Sequence, residues 1–220
     1  MSNVWFTSDL HIGHAKIAEI RWPAMQPDYN PCLPIPHQPT VHDLILAHNW
    51  DQTVGTDDVV WVLGDISSGT KTAQLNALEW IKARPGIKHL IAGNHDSVHP
   101  LHRDSHKWLP IYLDGAFETV QMAAKRRIPL PEGHVTALLS HFPYTGDHTV
   151  EQRYPEWRLP HCGHYLLHGH THRSERLSDG GKGLPPYQYN QIHVGVDAWD
   201  FKPVALETIQ LITQAVESKR

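Results

Sequence analysis

Six short apolar runs punctuate the chain: VWFTS (4–8), VVWVLG (59–64), IKHLIAG (87–93), VTALLS (135–140), YLLHG (165–169) and IHVGV (192–196). Each is rich in Val, Ile, Leu or aromatic residues and has the length of a buried strand. Helical patterns lie between some of them. Val41, Leu44, Ile45 and His48 recur at i, i+3, i+4 and i+7 behind Thr40, a residue suited to an N-cap, and TAQLNALEWIKAR (72–84) runs until Pro85 and Gly86 stop it. A last helix is expected from near Pro203, with Leu206, Ile209, Ile212 and Val216 along one side. Strands alternating with helices, without an internal repeat, predict an α/β domain whose sheet is covered on both faces over at least part of its area. The 220 residues suffice for one sizeable core, so a single domain over 1–220 is expected.

The residues that follow these runs share a chemistry. Asp9 and His11 follow the first, Asp65 the second, Asn94, His95 and Asp96 the third, His141 the fourth, and His170 and His172 the fifth. In an open α/β sheet the binding crevice lies outside the carboxyl ends of the strands, so groups remote in sequence would converge there. The pairs DLH (9–11) and HTH (170–172) strengthen the expectation, because residues i and i+2 of an extended chain point the same way. Gly64, Gly93 and Gly169 stand where the backbone would have to turn sharply.

Composition agrees with a metal site. The chain holds 19 histidines, scattered rather than gathered in a tag, and histidine is the commonest metal ligand. A net charge of -4, from 19 Lys+Arg against 23 Asp+Glu, argues against a broad footprint for long nucleic acid and leaves small anionic substrates open. No apolar run approaches a membrane span, and MSNVWFTSDLH lacks the layout of a signal peptide, so a cytoplasmic protein without membrane association is expected. Cys32 and Cys162 sit in no metal-ligand spacing and read as free thiols.

The order D-x-H, GD, GNHD, a lone H and GHTH resembles the calcineurin-like metallophosphoesterase superfamily, in particular its small prokaryotic and phage-type members, which begin SDLHIGH as here. The resemblance runs from Asp9 to His172, and VGVDAWDFKPVAL (194–206) is similar to the usual ending of that subgroup. It implies a sheet sandwich with flanking helices and an active site at the C-terminal ends of the strands. It implies that Asp9, His11 and His172 hold one metal ion, that Asn94, His141 and His170 hold a second, and that Asp65 bridges both. Two divalent transition ions (Mn, Fe, Zn, Co or Ni) suit such mixed ligands. Their charge of about +4 against about -2 from the two aspartates would attract phosphate whatever the overall charge. The implied reaction is attack on phosphorus by a metal-bridging hydroxide, with His95 as general acid, since the ordinary pKa of histidine lies near 6.5.

One branch fits poorly. Protein phosphatases of the superfamily write GDxVDRG, whereas residues 64–69 read GDISSG, which removes a phosphate-holding arginine and the aspartate that orients the catalytic histidine. Asp96 is a candidate for that orienting role, or for capping the next turn. His14 is a candidate for substrate contact or for capping the helix that starts beside it. His168 is read as packed or as donating a hydrogen bond behind the ligands. His89, His134, His161, His164 and His193 are read as surface or satisfied core residues, Asp57 and Asp58 as a turn, and VDAWDF as core against the last helix. Two stretches, 21–39 with six prolines and 142–164 with Arg153 and Arg158, are expected to be irregular loops near the active site. The expected activity is a phosphodiesterase on small nucleotide-like substrates, cyclic ones among them. A phosphomonoesterase or nucleoside polyphosphate hydrolase is the alternative within the class, and a non-catalytic metal-binding scaffold the alternative outside it.

Overall fold

All six apolar runs are strands, and in the computed structural model, which describes residues 2–25, 38–179, 183 and 188–219, they belong to two five-stranded sheets. In the first sheet β1 (Val4–Thr7), β2 (Val59–Val62), β3 (Ile87–Ile91) and β4 (Thr119–Gln121) are parallel neighbours in that order, and β10 (Val204–Ala205) pairs antiparallel on the far side of β1. In the second the order is β5 (Ala124–Pro129), β6 (His134–Leu139), β7 (Tyr165–His168), β9 (Gln191–His193) and β8 (Leu177–Ser178). Its three central strands are parallel and its two edges antiparallel. The strands missed in the sequence are edge strands. Three have only two or three residues, too short for a period to register, and β5 reads AKRRIP, its charged residues suited to a sheet edge.

Five helices complete the described residues: α1 (Ala15–Met25), α2 (Gln38–Thr53), α3 (Lys71–Lys82), α4 (Ser105–Leu113) and α5 (Leu206–Glu217). Thr70 caps α3 by accepting from the Ala73 amide at 3.3 Å. Side chains alternate across the first sheet and so serve two cores. Val60, Val62 and Leu90 pack with Leu46 and Trp50 of α2, Leu78 and Ile81 of α3 and Tyr112 of α4. Phe6, Trp61 and Leu63 point the other way, joining Ile128, Leu139, Leu167 and Ile192 of the second sheet and Ile209 and Val216 of α5. The result is a mixed α/β fold in which two sheets share one core and helices cover the outer face of the first. No helix among the described residues is long and apolar enough to cross a membrane.

Four expectations change. The helix at 41–48 exists, but it begins at Gln38, so Thr40 lies inside it rather than capping it. Its buried face is His42, Leu46 and Trp50, whereas Leu44 is 63% exposed. The face is set by polar partners that the apolar period does not record: His42 meets Arg21, and the Trp50 indole donates to the Pro85 carbonyl at 3.0 Å. Stretch 21–39 is not wholly irregular. Helix α1 continues to Met25 through Pro23, whose missing N–H falls in the last turns, where burial of Arg21 and Trp22 outweighs one lost bond. Residues 26–37, with Cys32, lie outside the described residues, while Cys162 is a free, exposed thiol. Finally, the last helix starts at Leu206, because the two residues before it extend to pair with Trp5 and Phe6.

Asp58 ties the bottom of the first sheet together. Its carboxylate accepts from the Asn3 amide (2.7 Å), the Trp5 indole (2.8 Å) and the Gly55 amide (3.0 Å). These donors, the Gly55 amide first, pull its carboxyl down to about 2. A depressed carboxyl stabilises the fold above its unfolded value near 3.9 and loses that contribution as pH falls through the folded value. Replacing Asp58 by Ala is expected to cost about 2 kcal/mol in urea unfolding at pH 6, and the gap to wild type should narrow by pH 3. A gap that stays constant with pH would show that the charged form is not what matters.

Candidate metal centre

The backbone at the ends of β1, β2 and β7 is unusual. Asp9 (φ 57°), His11 (φ 50°), Asp65 (φ 57°), His170 (φ 70°) and His172 (φ 50°) all lie in the left-handed region. Each such non-glycine position costs on the order of 1–3 kcal/mol and persists only where surroundings enforce it. The pairs 9/11 and 170/172 therefore do not converge as extended i, i+2 neighbours. They converge because left-handed residues alternate with buried Leu10 and Thr171. Amide-to-carbonyl bonds from Asp9 to Gly64 (3.0 Å), His11 to Asp65 (3.0 Å) and Gly169 to His141 (3.0 Å) hold the loops edge to edge. Gly169 is required by this closeness: a Cβ there would lie 2.6 Å from the Asp9 Oδ2 and overlap the Ser8 hydroxyl.

Three sets of acceptor atoms result. In the first, the His11 and His172 Nε2 atoms stand 3.1 Å apart, with the Asp9 Oδ1 3.8 Å from the latter. His11 Nδ1 lies 3.2 Å from the Ser67 carbonyl, which can only accept, so this ring carries its proton there and turns an Nε2 lone pair inward, and His172 Nδ1 lies 3.6 Å from the Asp197 carboxylate. In the second, His141 Nδ1 donates to the Leu63 carbonyl at 2.7 Å, leaving its Nε2 3.2 Å from the Asn94 Oδ1 and 3.5 Å from the Asp65 Oδ2. The His141 lone pair facing the Asp65 oxygen across such a distance is repelled unless a cation lies between them. Asp9, His11 and His172, and Asp9, Asp65 and His141, are each close enough to hold a metal ion.

His170 enters a third group. Its Nε2 lies 3.1 Å from the Asp147 Oδ2, its ring centroid is 5.2 Å from that of His141, and Asp147, His148 and His170 form the third group of suitable donors. Its amide donates to both oxygens of Asp9, at 3.0 and 3.1 Å. His95 is adjacent without belonging to any group. Its amide donates to Asp65 Oδ1 at 2.8 Å, its ring Nε2 stands 4.0 Å from Asp65 Oδ2, and its side chain is 40% exposed. Burial first, then the His141 and His14 imidazoles, push it down to about 4, below the ordinary value expected for it.

Three buried ionisable side chains, none assigned a ligand role in the sequence, brace the centre. Asp96 does not orient His95. Its carboxylate accepts from the amides of Gly93 (2.7 Å), Asp65 (3.0 Å) and Ile66 (3.1 Å), joining the GD and GNHD loops. Arg21 reaches up from α1 to grip Asp197 with two bonds (2.6 and 2.8 Å) and to donate to the Asp9 carbonyl at 2.7 Å. VDAWDF is thus only partly core: Trp199 is, while Asp197 stands behind His172. Asp147 accepts from Arg153 (3.0 Å) and Arg158 (3.1 Å), and although burial pushes it up, Arg153 and His170 hold it well below the carboxylate range. Arg158 spends its other donors on the Pro143, Gly146 and Arg153 carbonyls and is a loop brace, whereas Arg153 reaches the cavity.

The remaining histidines divide clearly. The ring of His14 accepts the Ile17 amide, capping α1, and still lines the cavity. His168 contacts the Gly169 carbonyl at 2.8 Å with its Nδ1, while its Nε2 has no partner. His193 is neither surface nor satisfied. It is 2% exposed, neither ring nitrogen has a hydrogen-bond partner, and its Nε2 lies 3.7 Å from Asp9 Oδ2. It was missed because its only distinguishing feature is its tertiary position beside Asp9. A cavity of about 430 Å³ opens over the centre, lined on the metal side by His11, His95, His172 and Asp197.

No protein-family model matches the chain. It is 52% identical over 201 residues to the Gene 66 protein of Mycobacterium phage D29, covering 90% of each chain. The chain belongs to the mycobacteriophage Gene 66 protein family. The Gene 66 protein of Mycobacterium phage L5 is 50% identical over 202 residues, covering 90% of this chain and 88% of that one. Among solved structures, this Gene 66 family member shares its fold with a protein of unknown function from Aquifex aeolicus, at a TM-score of 0.59 and 22% identity, over 96% of this chain and 100% of the other.

Electrostatics of this Gene 66 family site favour a cation independently of geometry. Asp9 and Asp65 are both buried. Burial raises Asp65 well above its ordinary value, and the nearby Asp9 carboxylate raises it further. Asp9 is pushed up by burial but held well below its ordinary value by His193, His172 and His141. Asp65 therefore holds its proton more tightly than a free carboxyl, and Asp9 gives its own up more readily. Binding of a divalent ion is expected to displace protons from this cluster, measurable by calorimetry in buffers of different ionisation enthalpy, and affinity should rise with pH. Buffer-independent heats would contradict this charge state. Replacing Asp96 by Ala strands three buried amides and is expected to lower unfolding free energy by at least about 3 kcal/mol. A loss below about 1 kcal/mol in urea melts would show that the amides find other partners.

Proposed function

We propose that this protein is a metallophosphoesterase of the calcineurin-like superfamily, a dinuclear hydrolase of phosphodiesters borne on small nucleotide-like groups. The observation that carries the reading is the pair of adjoining acceptor sets, Asp9/His11/His172 and Asp65/His141/Asn94, at the floor of one cavity. Oxygen and imidazole donors of this kind suit Mn, Fe, Zn, Co or Ni. Such ions, when bound, supply Lewis acidity toward phosphoryl oxygens and acidify water.

The protein's own residues do the rest. The Leu63 and Ser67 carbonyls fix the tautomers of His141 and His11, so that lone pairs rather than N–H groups face the centre. Arg21 holds the end of β1 and, through Asp197, the ring of His172. Arg153, anchored by Asp147, presents a cation to the cavity where a phosphoryl oxygen would lie. It stands in for the arginine that GDISSG lacks. His95 offers its Nε2 as the proton donor to the leaving oxygen. Its value near 4 in the protein alone leaves it neutral at pH 7, so an anionic phosphoester beside Nε2 is what would restore its proton.

After chelation, hydrolysis of diesters should vanish and return with Mn²⁺, Ni²⁺ or Zn²⁺. In the reloaded protein His95→Ala is expected to lower kcat on an alkyl diester by about 10²–10⁴ with metal content unchanged. Turnover that ignores the chelator would overturn the reading, and an undiminished His95→Ala rate on the alkyl diester would remove His95 from it.

A further inference from the structure

One buried amide meets the main chain of the proposed proton donor, and apolar packing alone does not call for it. Helix α3 buries Gln74, Ala77, Leu78 and Ile81. The last three serve the core under the helices, while Gln74 is fully buried beside them. An amide desolvated in this way is costly unless its hydrogen bonds are met, and a methionine of similar volume would fill the place without that cost. Gln74 spends its side chain on two partners. Its Nε2 donates to the main-chain carbonyl of His95, and its Oε1 accepts from the Tyr112 hydroxyl of α4. The amide can face only one way. A carbonyl accepts and never donates, so the NH₂ end belongs to His95. Tyr112 is itself fully buried, and burial and the nearby Asp96 push its hydroxyl well above the ordinary value, so it keeps the proton it donates to Gln74.

His95 is thereby pinned on both sides of its Cα. Its amide donates to Asp65 Oδ1 at 2.8 Å, and its carbonyl receives Gln74. Gly69 lies against the same residue: a Cβ there would stand 3.3 Å from the His95 carbonyl oxygen and 3.4 Å from its Nδ1. From this anchor the ring reaches the cavity, with its Nε2 4.0 Å from Asp65 Oδ2. In GDISSG, Ser68 stands where GDxVDRG has its orienting aspartate, so no carboxylate comes from that position.

We propose that Gln74, locked by Tyr112, is a positioning residue for His95: it fixes the histidine's main chain from within the core and so holds the ring where its Nε2 reaches the leaving oxygen. The inference rests on the phosphoesterase reading above and adds what keeps its proton donor in place. Gln74 does not line the cavity and acts only through His95. A reacting group displaced by about 1 Å can lose on the order of 10²-fold in rate, which sets the scale of the effect.

Two measurements test this, one of them without substrate. In Zn²⁺-loaded protein carrying ¹⁵N-labelled histidine, the His95 ring signals, assigned from His95→Ala, should shift or split in Gln74→Met and in Tyr112→Phe, while those of His172 and His193 hold and metal content is unchanged. Unaltered His95 signals in both variants, or shifts spread equally over the histidines, overturn the anchor. In Mn²⁺-loaded protein, Gln74→Met should lower kcat on diethyl phosphate about tenfold more than on bis(4-nitrophenyl) phosphate, whose leaving group needs no proton, and should add nothing to the loss in His95→Ala. Equal losses on the two esters, or a loss that adds in full to that of His95→Ala, overturn the positioning role. Tyr112→Phe, which removes a single oxygen, serves both measurements if Gln74→Met does not fold. If the wild type hydrolyses neither ester, the phosphoesterase reading fails by itself, and the histidine signals still decide the anchor.

Discussion

Two carboxylates buried within a ring of imidazoles set the terms for everything around them. Asp9 and Asp65 lie too deep and too near one another to be ionised together unless positive charge comes between. The protein offsets that need only in part from its own side chains, through the imidazoles beside Asp9 and through Arg153. The nearest cations, Arg21 and Arg153, are committed to Asp197 and Asp147. Neighbouring imidazoles are pushed toward their neutral forms by burial, as the lowered values of His11, His170 and His172 show. Neutral rings with inward lone pairs and a surplus of carboxylate oxygen make a pocket whose chemical complement is a metal ion.

Such a centre is costly to assemble, and the fold distributes the cost. Five donors sit in left-handed backbone, where an extended strand would have been cheaper. What holds them is a layer of buried polar side chains just outside the donors: Asp96 under the GD and GNHD loops, Arg21 under the end of β1, and Asp147 behind His170. Each meets a backbone amide, a backbone carbonyl or an imidazole of the site, so each ties the site to the sheets. Below these lie the two cores, one between the sheets and one under the helices, which leave the strand ends no freedom to relax.

The fold and much of the site were legible in the sequence, for physical reasons that differ from element to element. Central strands announce themselves because residues buried on both faces must be apolar, and all six apolar runs are strands. Edge strands and α4 were invisible, since two- or three-residue pairings and a helix interrupted by Pro110 leave no period. The buried face of α2 was misread because polar bonds of His42 and Trp50, rather than apolar spacing, turn the helix. Arg21, Asp147, Asp197 and His193 carried no local signal at all.

By itself, then, the sequence determined which residue types end the strands, and hence that acidic and imidazole donors gather at one edge of an α/β sheet. Only the tertiary structure decided how they are shared. It paired His170 with Asp147, moved Asp96 from His95 to the loop amides, committed Arg158 to carbonyls while leaving Arg153 at the cavity, and aimed Ile17 and Ile20 into that cavity. The reason is that chain order and side-chain type fix which element a group rides on. The direction of a lone pair or a proton depends on backbone angles and on partners some tens of residues away, which no local spacing encodes.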